Sequence, residues 1–416
     1  MEYGCIGRKL GHSFSKIIHN KLCDYDYELK ELEPEEVAPF MTAHNFKAIN
    51  VTIPYKETVI PFLDEISDFA KKIGAVNTVV NKNGKLYGYN TDFMGMSALL
   101  SKNGIDPKGK KCAVLGTGGT SKTANAVLSH LGAREVITVS RREGDGVITY
   151  EALYTDHNDV QIIINTTPCG MYPNNDTVAV DISRFKSLEG VADAVYNPLR
   201  PELVVRAQSM GVTAVGGLYM LVAQAVYAAN KFTGKEFDTA DIDRVFYEVY
   251  KSKRNIVLVG MPGCGKSTQG KRIAEALGFE FYDSDAEIVK KAGRSIPEIF
   301  EKQGEKAFRD IEESVIASLS QKNGCVIATG GGAVLRENNV RRLKQNGVLL
   351  LIDRPIDEIK HGKGRPLASD REKLLALYRE RMPIYNSVCD IHAVLRGTKD
   401  ENTKELLRIT EDEGKI

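Results

Sequence analysis

The sequence has little net charge, no paired cysteine spacing and no long apolar run. Its 56 lysines and arginines nearly balance 55 aspartates and glutamates, which leaves a formal net charge of +1. This balance argues against a dedicated nucleic-acid binder and against a protein that binds membrane surfaces through charge. We therefore expect no nucleic-acid partner and no membrane partner.

The seven cysteines are odd in number, widely scattered and free of C-x-x-C spacing. The sequence therefore predicts neither a disulfide framework nor a zinc site, and a cytoplasmic, reducing location fits best. The longest apolar stretch, residues 216–229, contains Gln224 and is too short to span a bilayer. The first residues lack a basic segment followed by an apolar core, so we expect no signal peptide.

A chain of 416 residues with 42% hydrophobic content is long enough for roughly two to three domains, each with its own core. No internal repeat or low-complexity segment is present. The motifs below divide the chain near residue 250.

Residues 255–268, NIVLVGMPGCGKST, contain the most specific motif. A β-branched run precedes G-x-x-x-x-G-K-S, and a helix is predicted at 265–277, which is the context of a phosphate-binding loop. Backbone N–H groups of such a loop surround a β-phosphate, its lysine reaches the β- and γ-phosphates, and its serine can bind Mg²⁺. The alternative is an accidental glycine-rich turn. The predicted ATP-binding residues are Gly260, Gly263, Gly265, Lys266, Ser267 and Thr268.

Polar residues follow two predicted strands near the N-terminus. Ser13 and Ser15 stand where a helix is predicted to begin, and their hydroxyls can cap the helix or bind an anion. Thr52 and Lys56 follow the predicted strand 48–53, at the carboxyl end where open α/β sheets bind ligands. Without such a ligand, a lysine in this place is a solvated surface residue.

The segment 74–93 predicts two strands joined by a tight turn at Asn83-Gly84. It ends in Asn90, Thr91 and Asp92 at a helix start, where Asp92 could be an N-cap. Residues 116–121 then form G-x-G-G-x-S between a predicted strand, 112–116, and a helix that ends near Leu131. This is a variant of the dinucleotide-binding fingerprint.

The strand predicted at 135–140 ends in Ser140, Arg141 and Arg142. NAD enzymes carry an acidic residue here to bind the ribose 2′-hydroxyl, whereas arginines favour a 2′-phosphate. The sequence therefore predicts NADP, unless both are ordinary surface arginines. Strands at 161–167 and 191–196 and helices at 218–231 and about 239–250 complete the prediction, and a polar hinge, KSKR, follows at 251–254.

Eight segments occur in one order over residues 1–250 and together resemble shikimate dehydrogenase. They are GHSFSK, NVTIPYKE, GAVNT, NTDF, GTGGTSKT, INTTPCGM, VYNPL and GGLYMLVAQA. The resemblance implies reversible, NADP-dependent reduction of the ring ketone of 3-dehydroshikimate. It also implies a substrate domain, residues 1–91 and 217–250, with an inserted Rossmann-like NADP domain, residues 92–216.

The resemblance also implies roles for individual residues. Ser13 and Ser15 match the pair that holds the substrate carboxylate, and Lys56 and Asp92 match the catalytic pair. The residues that match the surroundings of the substrate hydroxyls are Thr52, Asn77, Tyr196 and Gln224. Those that match the NADP site are Gly116, Gly118, Gly119, Thr120, Ser140, Arg141, Arg142 and Gly217. A lysine ammonium suits the reaction, because it can stabilise and then protonate the alkoxide that forms when hydride reaches the carbonyl carbon.

Residues 253–416 resemble shikimate kinase. After the phosphate loop, the segments FYDSD, IFEKQGEKAFRDIE, ATGGGAV, GRPLA and RERMPIY follow in the order of that family. The resemblance implies a P-loop, nucleoside-monophosphate-kinase-like parallel α/β domain at 255–416. Such a domain transfers the γ-phosphoryl group of ATP to shikimate with Mg²⁺.

In this family's pattern Ser267 and Asp283 match the Mg²⁺ site, although Asp283 could instead be a helix cap. Asp285 matches the residue that contacts shikimate hydroxyls and accepts the proton of the attacking one, and Lys266 serves the phosphates. The residues that match the carboxylate clamp, the backbone N–H donors and the lid are Arg309, Arg381, Gly330, Gly331, Gly332 and Arg365. A planar guanidinium fork suits a carboxylate, although Arg309 alone could be a surface ion pair.

The lid region, residues 360–365, is shorter than the family pattern by a residue or two, and Lys360 stands where an arginine often contacts adenine. The difference bears on nucleotide affinity and on lid closure rather than on substrate recognition. The complete prediction is a bifunctional enzyme that makes shikimate and then shikimate 3-phosphate with NADPH, ATP and Mg²⁺. An inactive sensor of shikimate-pathway metabolites and an enzyme that acts on quinate remain alternatives.

Overall fold

The computed structural model describes residues 1–11, 13–359 and 370–412. The chain divides into two compact units, Met1–Val249 and Tyr250–Ile416. Both units are α/β with mainly parallel sheets, as the sequence predicts. Among the described residues, we find no helix that combines the length and the apolar character needed to cross a bilayer.

The first sheet lies in the first unit, in the order β2-β1-β3-β5-β6-β4. Its strands are β1 (Tyr3–Gly7), β2 (Tyr27–Glu31), β3 (Ala48–Val51), β4 (Glu65–Ile66), β5 (Thr78–Lys82) and β6 (Lys85–Tyr89). The helices between them are α1 (Ser15–Leu22), α2 (Pro34–Thr42) and α3 (Asp68–Ile73). Strands β1, β2 and β3 are parallel, and β5 pairs antiparallel with both β3 and β6.

The predicted hairpin between β5 and β6 is confirmed. Asn83 and Gly84 have φ values of 54° and 86°, and a type I′ turn requires positive φ at both positions. Strand β3 ends at Val51, two residues before the predicted end, and a turn that carries Thr52 and Lys56 follows it directly.

The second sheet follows in the same unit, in the order β12-β11-β10-β7-β8-β9. Its strands are β7 (Lys111–Leu115), β8 (Glu135–Ser140), β9 (Val147–Thr149), β10 (Ile162–Asn165), β11 (Gly190–Asp193) and β12 (Thr213–Val215). The helices around it are α4 (Asp92–Lys102), α5 (Gly119–His130), α6 (Tyr150–Asp156) and α7 (Glu202–Ser209). Every neighbouring pair in this order is parallel, and the buried strands β7 and β10 have the apolar runs that parallel strands require.

Two further helices, α8 (Leu218–Thr233) and α9 (Thr239–Lys253), complete this part of the chain. Helix α8 packs against α4 with a close backbone approach, because a Cβ at Gly95 would lie 2.7 Å from the carbonyl oxygen of Met220. Residues 251–253 of the predicted hinge form the end of α9, which leaves Arg254 alone between this helix and the next strand.

The second unit contains a parallel sheet in the order β14-β15-β13-β16-β17. Its strands are β13 (Asn255–Val259), β14 (Glu280–Asp283), β15 (Cys325–Ala328), β16 (Gly347–Asp353) and β17 (Ile391–Val394). Its helices are α10 (Lys266–Leu277), α11 (Ser284–Ala292), α12 (Ile296–Leu319), α13 (Glu337–Asn346), α14 (Arg371–Val388) and α15 (Lys399–Asp412). Strand β13 is central and fully buried, so the loop after it opens at the carboxyl edge of the sheet.

Helix α12 is bent at Gly304, whose φ of 79° lies outside the helical range. A capping box between Ser295 and Glu298 begins the helix, with each residue's side chain accepting the other's backbone N–H. The part of the helix after the bend buries Arg309 and Glu312.

Candidate active sites

The first candidate site is centred on an ion pair between Lys56 and Asp92. Lys56 Nζ lies 2.5 Å from Asp92 Oδ2, and their side chains are only 12% and 9% exposed. Asp92 is the first residue of α4, but Thr91 holds the N-cap position without a side-chain cap hydrogen bond. The capping role considered for Asp92 is therefore wrong, and so is a solvated surface role for Lys56.

Asn77 fixes the orientation of the Asp92 carboxylate. Asn77 Nδ2 donates to Asp92 Oδ1 at 2.9 Å, while Asn77 Oδ1 accepts the backbone N–H of Thr91 at 2.7 Å. The same amide nitrogen lies 3.4 Å from Gln224 Oε1 on α8. Three predicted residues from distant parts of the sequence therefore meet at one place.

The serine pair lies at the start of α1. Ser13 Oγ donates to Ser15 Oγ at 3.1 Å and accepts the Ser15 N–H at 3.3 Å. Phe14 occupies the N-cap position and makes no side-chain cap hydrogen bond, whereas Ser13 Oγ accepts the first N–H of α1, so a capping role for Ser13 stays open beside anion binding. The Phe14 ring lies 5.2 Å from the Tyr196 ring, which brings Tyr196 beside the serine turn. Burial raises the pKa of Tyr196 to about 12, so its hydroxyl stays protonated.

Thr52 and Asn50 flank the end of β3. Thr52 donates its N–H to the Ile6 carbonyl at 2.9 Å, and its methyl group packs on Gly7. Asn50, which the sequence reasoning missed, is 6% exposed and donates to the Asn77 carbonyl oxygen at 3.3 Å. A polar residue within a strand of buried apolar residues is the signal that could have identified it.

The glycine-rich turn after β7 can accept a pyrophosphate at the start of α5. Gly116 has a φ of 108°, and a Cβ there would lie 2.9 Å from Thr166 Oγ1. Gly118 is the N-cap of α5 without a side-chain cap, and the space around its missing Cβ is open. Thr120 follows in the first turn, so backbone N–H groups of α5 are available to an anion.

The same turn lies against the first site. A Cβ at Gly119 would be 3.5 Å from Lys56 Cδ, so the glycine-rich turn and the lysine side chain are neighbours. Gly217, the N-cap of α8, packs so closely on Ala194 that a side chain would collide with its carbonyl group.

Ser140 is the last residue of β8, which pairs with β7, and Arg141 and Arg142 follow it directly. Both arginines are exposed, and the residues at this strand end are not acidic. This donor set suits the 2′-phosphate of NADP.

The second candidate site begins at the loop after β13. Gly260, Gly263 and Gly265 have φ values of 140°, 86° and 105°, a backbone that side chains other than glycine rarely adopt. Lys266 is 7% exposed, and its Nζ donates at 2.9 Å to the carbonyl oxygens of both Gly260 and Met261. The lysine is therefore held within the loop that it is expected to serve.

Ser267 and Asp283 meet at the start of α10, where Thr268 is also exposed. Ser267 Oγ donates to Asp283 Oδ2 at 2.5 Å. Asp283 Oδ1 accepts the N–H groups of Asp285 and Ala286 at 3.0 and 3.4 Å, so Asp283 also caps α11. In the part of the chain that the structure describes, no cluster of three metal-ligating side chains occurs. A magnesium ion held by Ser267 and Asp283 would take its other oxygens from phosphates and water, which is its usual preference.

Arg309 is buried and lies beside a glutamate that the sequence reasoning missed. It donates to Glu312 at 2.7 Å and to Glu305 at 3.0 Å, and the side chain of Glu312 is fully buried. The surface ion pair considered for Arg309 is thus wrong. Because Glu312 is three residues further along α12, it lies on the same helical face, and this spacing could have identified it.

Arg381 and Glu312 each keep one buried atom unsatisfied. Arg381 is 3% exposed on α14, and its Nε has no hydrogen-bond partner among the described residues. Glu312 Oε1 is also buried and has no hydrogen-bond partner among the residues that the structure describes. Unpaired buried polar atoms are costly unless a ligand satisfies them, so both point to a polar ligand.

Asp285 lies in the same cluster. Burial raises the pKa of its carboxyl above the usual range, the Asp283 charge adds to the rise, and Lys266 and Arg309 oppose it. A carboxylate with a raised pKa is a better proton acceptor.

The three glycines after β15 line this cluster. A Cβ at Gly330 would lie 2.6 Å from Asp285 Oδ1, and one at Gly332 would collide with the Arg309 guanidinium. Gly331 packs on Pro262, 2.8 Å from the place of its Cβ. The Gly330 N–H donates to the buried Ser284 Oγ at 2.8 Å, so the expectation that all three N–H groups are free for substrate is wrong.

The predicted lid residues, Lys360 and Arg365, lie outside the described residues. The other predicted residues of the second unit lie at the carboxyl edge of its sheet, in the loops and helices after β13, β14 and β15 and on α12 and α14.

Comparisons with known proteins match both units. The family model for the shikimate dehydrogenase substrate binding domain matches residues 5–79, and that for shikimate kinase matches residues 262–411. The shikimate dehydrogenase (NADP(+)) of Clostridium perfringens strain SM101 is 37% identical over 265 residues, which cover 59% of this chain and 97% of that protein.

Solved structures agree. Shikimate dehydrogenase 1 from Peptoclostridium difficile is 34% identical with a TM-score of 0.57, over 60% of this chain and 98% of that one. A chorismate mutase/shikimate 5-dehydrogenase fusion protein from Clostridium acetobutylicum is 35% identical with a TM-score of 0.56, over 59% and 96% of the two chains. The predicted resemblances are confirmed: the chain belongs to the shikimate dehydrogenase family and carries a shikimate kinase domain in its second unit.

Proposed function

We propose that this chain is a bifunctional enzyme of the shikimate pathway. The first unit reduces 3-dehydroshikimate to shikimate with NADPH, and the second phosphorylates shikimate to shikimate 3-phosphate with ATP and Mg²⁺. The matches of both units to these two families, together with a built site in each unit, support this assignment.

The Lys56–Asp92 pair, 2.5 Å apart and fixed by Asn77, supports the dehydrogenase activity. NADPH, when bound, supplies the hydride. Lys56 donates a proton from Nζ to the oxygen that becomes the hydroxyl, and Asp92 holds the ammonium in place. The ketone thereby gains one hydride and one proton. Ser13 and Ser15 are proposed to bind the carboxylate, and the hydroxyls are assigned to Thr52, Asn77, Tyr196 and Gln224.

NADP selectivity is assigned to the two exposed arginines after β8. The proposed NADP site consists of the α5 N-terminus with Gly116, Gly118, Gly119 and Thr120, of the strand end with Ser140, Arg141 and Arg142, and of Gly217. The proposed domains are 1–91 with 217–250 for substrate, 92–216 for NADP and 255–416 for the kinase, with residues 251–254 between them.

The buried cluster of Asp285, Arg309, Glu312 and Arg381 supports the kinase activity. Two guanidinium groups with an unsatisfied Nε suit a carboxylate, while Asp285 accepts the proton of the attacking shikimate hydroxyl. The hydroxyl oxygen then forms a bond to the γ-phosphorus as the bond to ADP breaks.

The remaining kinase residues are assigned to the nucleotide and to transition-state charge. Lys266, the loop glycines and Thr268 hold the phosphates, and Ser267 and Asp283 hold Mg²⁺, which neutralises phosphate charge when bound. Arg365 is proposed to stabilise charge on the transferring group. A cytoplasmic location is part of the proposal, because all seven cysteines are unpaired.

Steady-state kinetics on the purified chain test this proposal and its two alternatives. 3-Dehydroshikimate should be reduced by NADPH, and shikimate should be phosphorylated in the presence of ATP and Mg²⁺. Binding of both compounds without turnover would favour the inactive sensor. A higher kcat/KM for the oxidation of quinate than of shikimate would favour the quinate enzyme.

A further inference from the structure

A continuous chain of buried hydrogen bonds runs behind the Lys56–Asp92 pair and ends at Tyr27. Tyr27 Oη donates to Asn50 Oδ1 at 2.7 Å, and Asn50 Nδ2 donates to the Asn77 carbonyl oxygen at 3.3 Å. Tyr27 is fully buried in β2. Two residues, Asn50 and Asn77, therefore separate its hydroxyl from the Asp92 carboxylate.

Thr78 joins Asn50 to Asn77 by a second path. Asn50 Nδ2 lies 3.3 Å from Thr78 Oγ1, which donates to Asn77 Oδ1 at 3.1 Å. Asn77 Nδ2 then reaches Asp92 Oδ1 at 2.9 Å, and Asp92 Oδ2 pairs with Lys56. If the Asn50 or Asn77 amide moved, buried polar atoms would be left without partners, which costs more than the loss of one hydrogen bond in water. We therefore expect the complete series of hydrogen bonds to hold both amides in one orientation.

The Tyr27 ring is held in place by His19. The two rings are stacked with centroids 4.0 Å apart and planes 8° apart, and Phe232 stacks on His19 at 5.7 Å. His19 Nδ1 lies 2.6 Å from Tyr25 Oη, which fixes the imidazole in its plane. Burial lowers the pKa of His19 to about 3, so this ring is neutral at working pH. Burial also raises the pKa of Tyr27, whose hydroxyl therefore keeps its proton and donates to Asn50.

We propose that Tyr27 is a positioning residue of the dehydrogenase. Its hydroxyl holds Asn50, and through Asn50 and Asn77 it fixes the Asp92 carboxylate against Lys56. This inference rests on the proposed dehydrogenase function and adds a residue that, being fully buried, acts without touching substrate.

The variant Tyr27→Phe removes the hydroxyl and keeps the stacked ring. Asn50 Oδ1 then loses the donor that Tyr27 supplies, and the amide is held only by its Nδ2 contacts to the Asn77 carbonyl and Thr78 Oγ1. We expect kcat for reduction of 3-dehydroshikimate to fall by about 5- to 30-fold, with the KM for NADPH changed by less than about twofold. Kinase activity of the same molecules should stay within about twofold, because Tyr27 lies in the first unit, and it provides an internal measure of the amount of chain in each assay.

A double-mutant cycle separates positioning from general loosening of the fold. In an Asp92→Asn background the carboxylate that Tyr27 helps to orient is gone, so adding Tyr27→Phe should lower the remaining kcat by less than about twofold. An equal fold-loss in both backgrounds would show that Tyr27 acts only on stability, and the proposal would be overturned.

The matched control is Tyr154→Phe, which removes a hydroxyl that accepts the Asp181 N–H at 2.7 Å and is not part of this chain. Its kcat should equal that of the unmodified protein. If Tyr27→Phe does not fold, Thr78→Val takes its place, because it breaks the second path. Thr78→Val should then lower kcat in the unmodified protein and change it by less than about twofold in the Asp92→Asn background. Absence of turnover by the unmodified protein would refute the proposed function itself, whereas normal turnover by Tyr27→Phe would refute this inference alone.

Discussion

Replacement of Lys56 by alanine tests the assignment of the proton donor. Lys56 Nζ is the cation within 2.5 Å of Asp92 Oδ2, and both side chains are nearly buried. Lys56→Ala therefore removes the proton donor and leaves a carboxylate whose remaining support includes the hydrogen bond from Asn77.

Two magnitudes follow from this geometry. A positioned general acid contributes about 10²- to 10⁴-fold, which corresponds to a barrier higher by about 3–5 kcal/mol in the variant. Loss of the cation beside a buried carboxylate should also lower the free energy of unfolding by about 1–3 kcal/mol. The KM for 3-dehydroshikimate should change much less than kcat, because the lost interaction is made mainly in the transition state.

NADPH absorbance gives kcat and KM, and thermal denaturation gives the change in stability. Lys47→Ala is the control, because Lys47 lies in the same unit and pairs with Glu2 at 2.8 Å where both are exposed. It should leave both quantities nearly unchanged. If Lys56→Ala raised only KM, Lys56 would be a binding residue, and the proton donor would have to be a different group.

Three further predictions follow. Changing Arg141 and Arg142 together to glutamine should reduce the preference for NADPH over NADH by about 1–3 kcal/mol, measured as the ratio of the two kcat/KM values. If this ratio were the same in the variant and the unmodified protein, the two arginines would not belong to the NADP site. Asp285→Asn should abolish most kinase turnover and leave dehydrogenase kcat within about twofold, and a large fall in dehydrogenase kcat in the folded variant would show coupling between the units. Burial raises the pKa of Asp193 from 3.8 to about 7, against hydrogen bonds from Asn165 and the Val195 N–H. Between about pH 4 and pH 7 the folded state therefore keeps a proton on Asp193 that the unfolded state has lost. This carboxyl should lower the free energy of unfolding, measured by urea denaturation, as pH rises through that range, and Asp193→Asn should make the free energy of unfolding depend less on pH.

Local patterns predicted the elements well where neighbours in sequence decide the structure. Strand β8 has the predicted bounds, 135–140, because a β-branched run is followed directly by polar residues. The Asn83-Gly84 turn is a local preference for positive φ and forms as expected. The polar segment 251–253 was predicted as a hinge but continues α9, since polar residues do not by themselves end a helix.

The contacts within each site depend on residues far apart in the sequence. Lys56, Asn77, Asp92 and Gln224 could be named from motifs, but the hydrogen bonds that join them are a product of the fold. Asn50 was missed for this reason, because its hydrogen-bond partners are at least 23 residues away in the sequence, Tyr27 on β2 and Asn77 and Thr78 next to and at the start of β5.

The kinase cluster shows the same limit. Glu312 and Ser284 stand inside quoted motifs, yet their roles depend on Arg309 packing against the glycine turn and on the Gly330 N–H reaching Ser284. Spacing within one helix could suggest the first contact. It could not suggest the second, which joins residues 46 positions apart.

The central claim is that one chain performs two consecutive reactions, and phosphorus NMR of a single reaction mixture tests it directly. The purified protein would be supplied with 3-dehydroshikimate, ATP and Mg²⁺, and NADPH would be added later. We predict no signal of shikimate 3-phosphate before NADPH is added, and afterwards that signal together with an equal amount of ADP. NADPH oxidation without formation of shikimate 3-phosphate, or formation of a phosphorylated product of 3-dehydroshikimate before NADPH is added, would contradict the account.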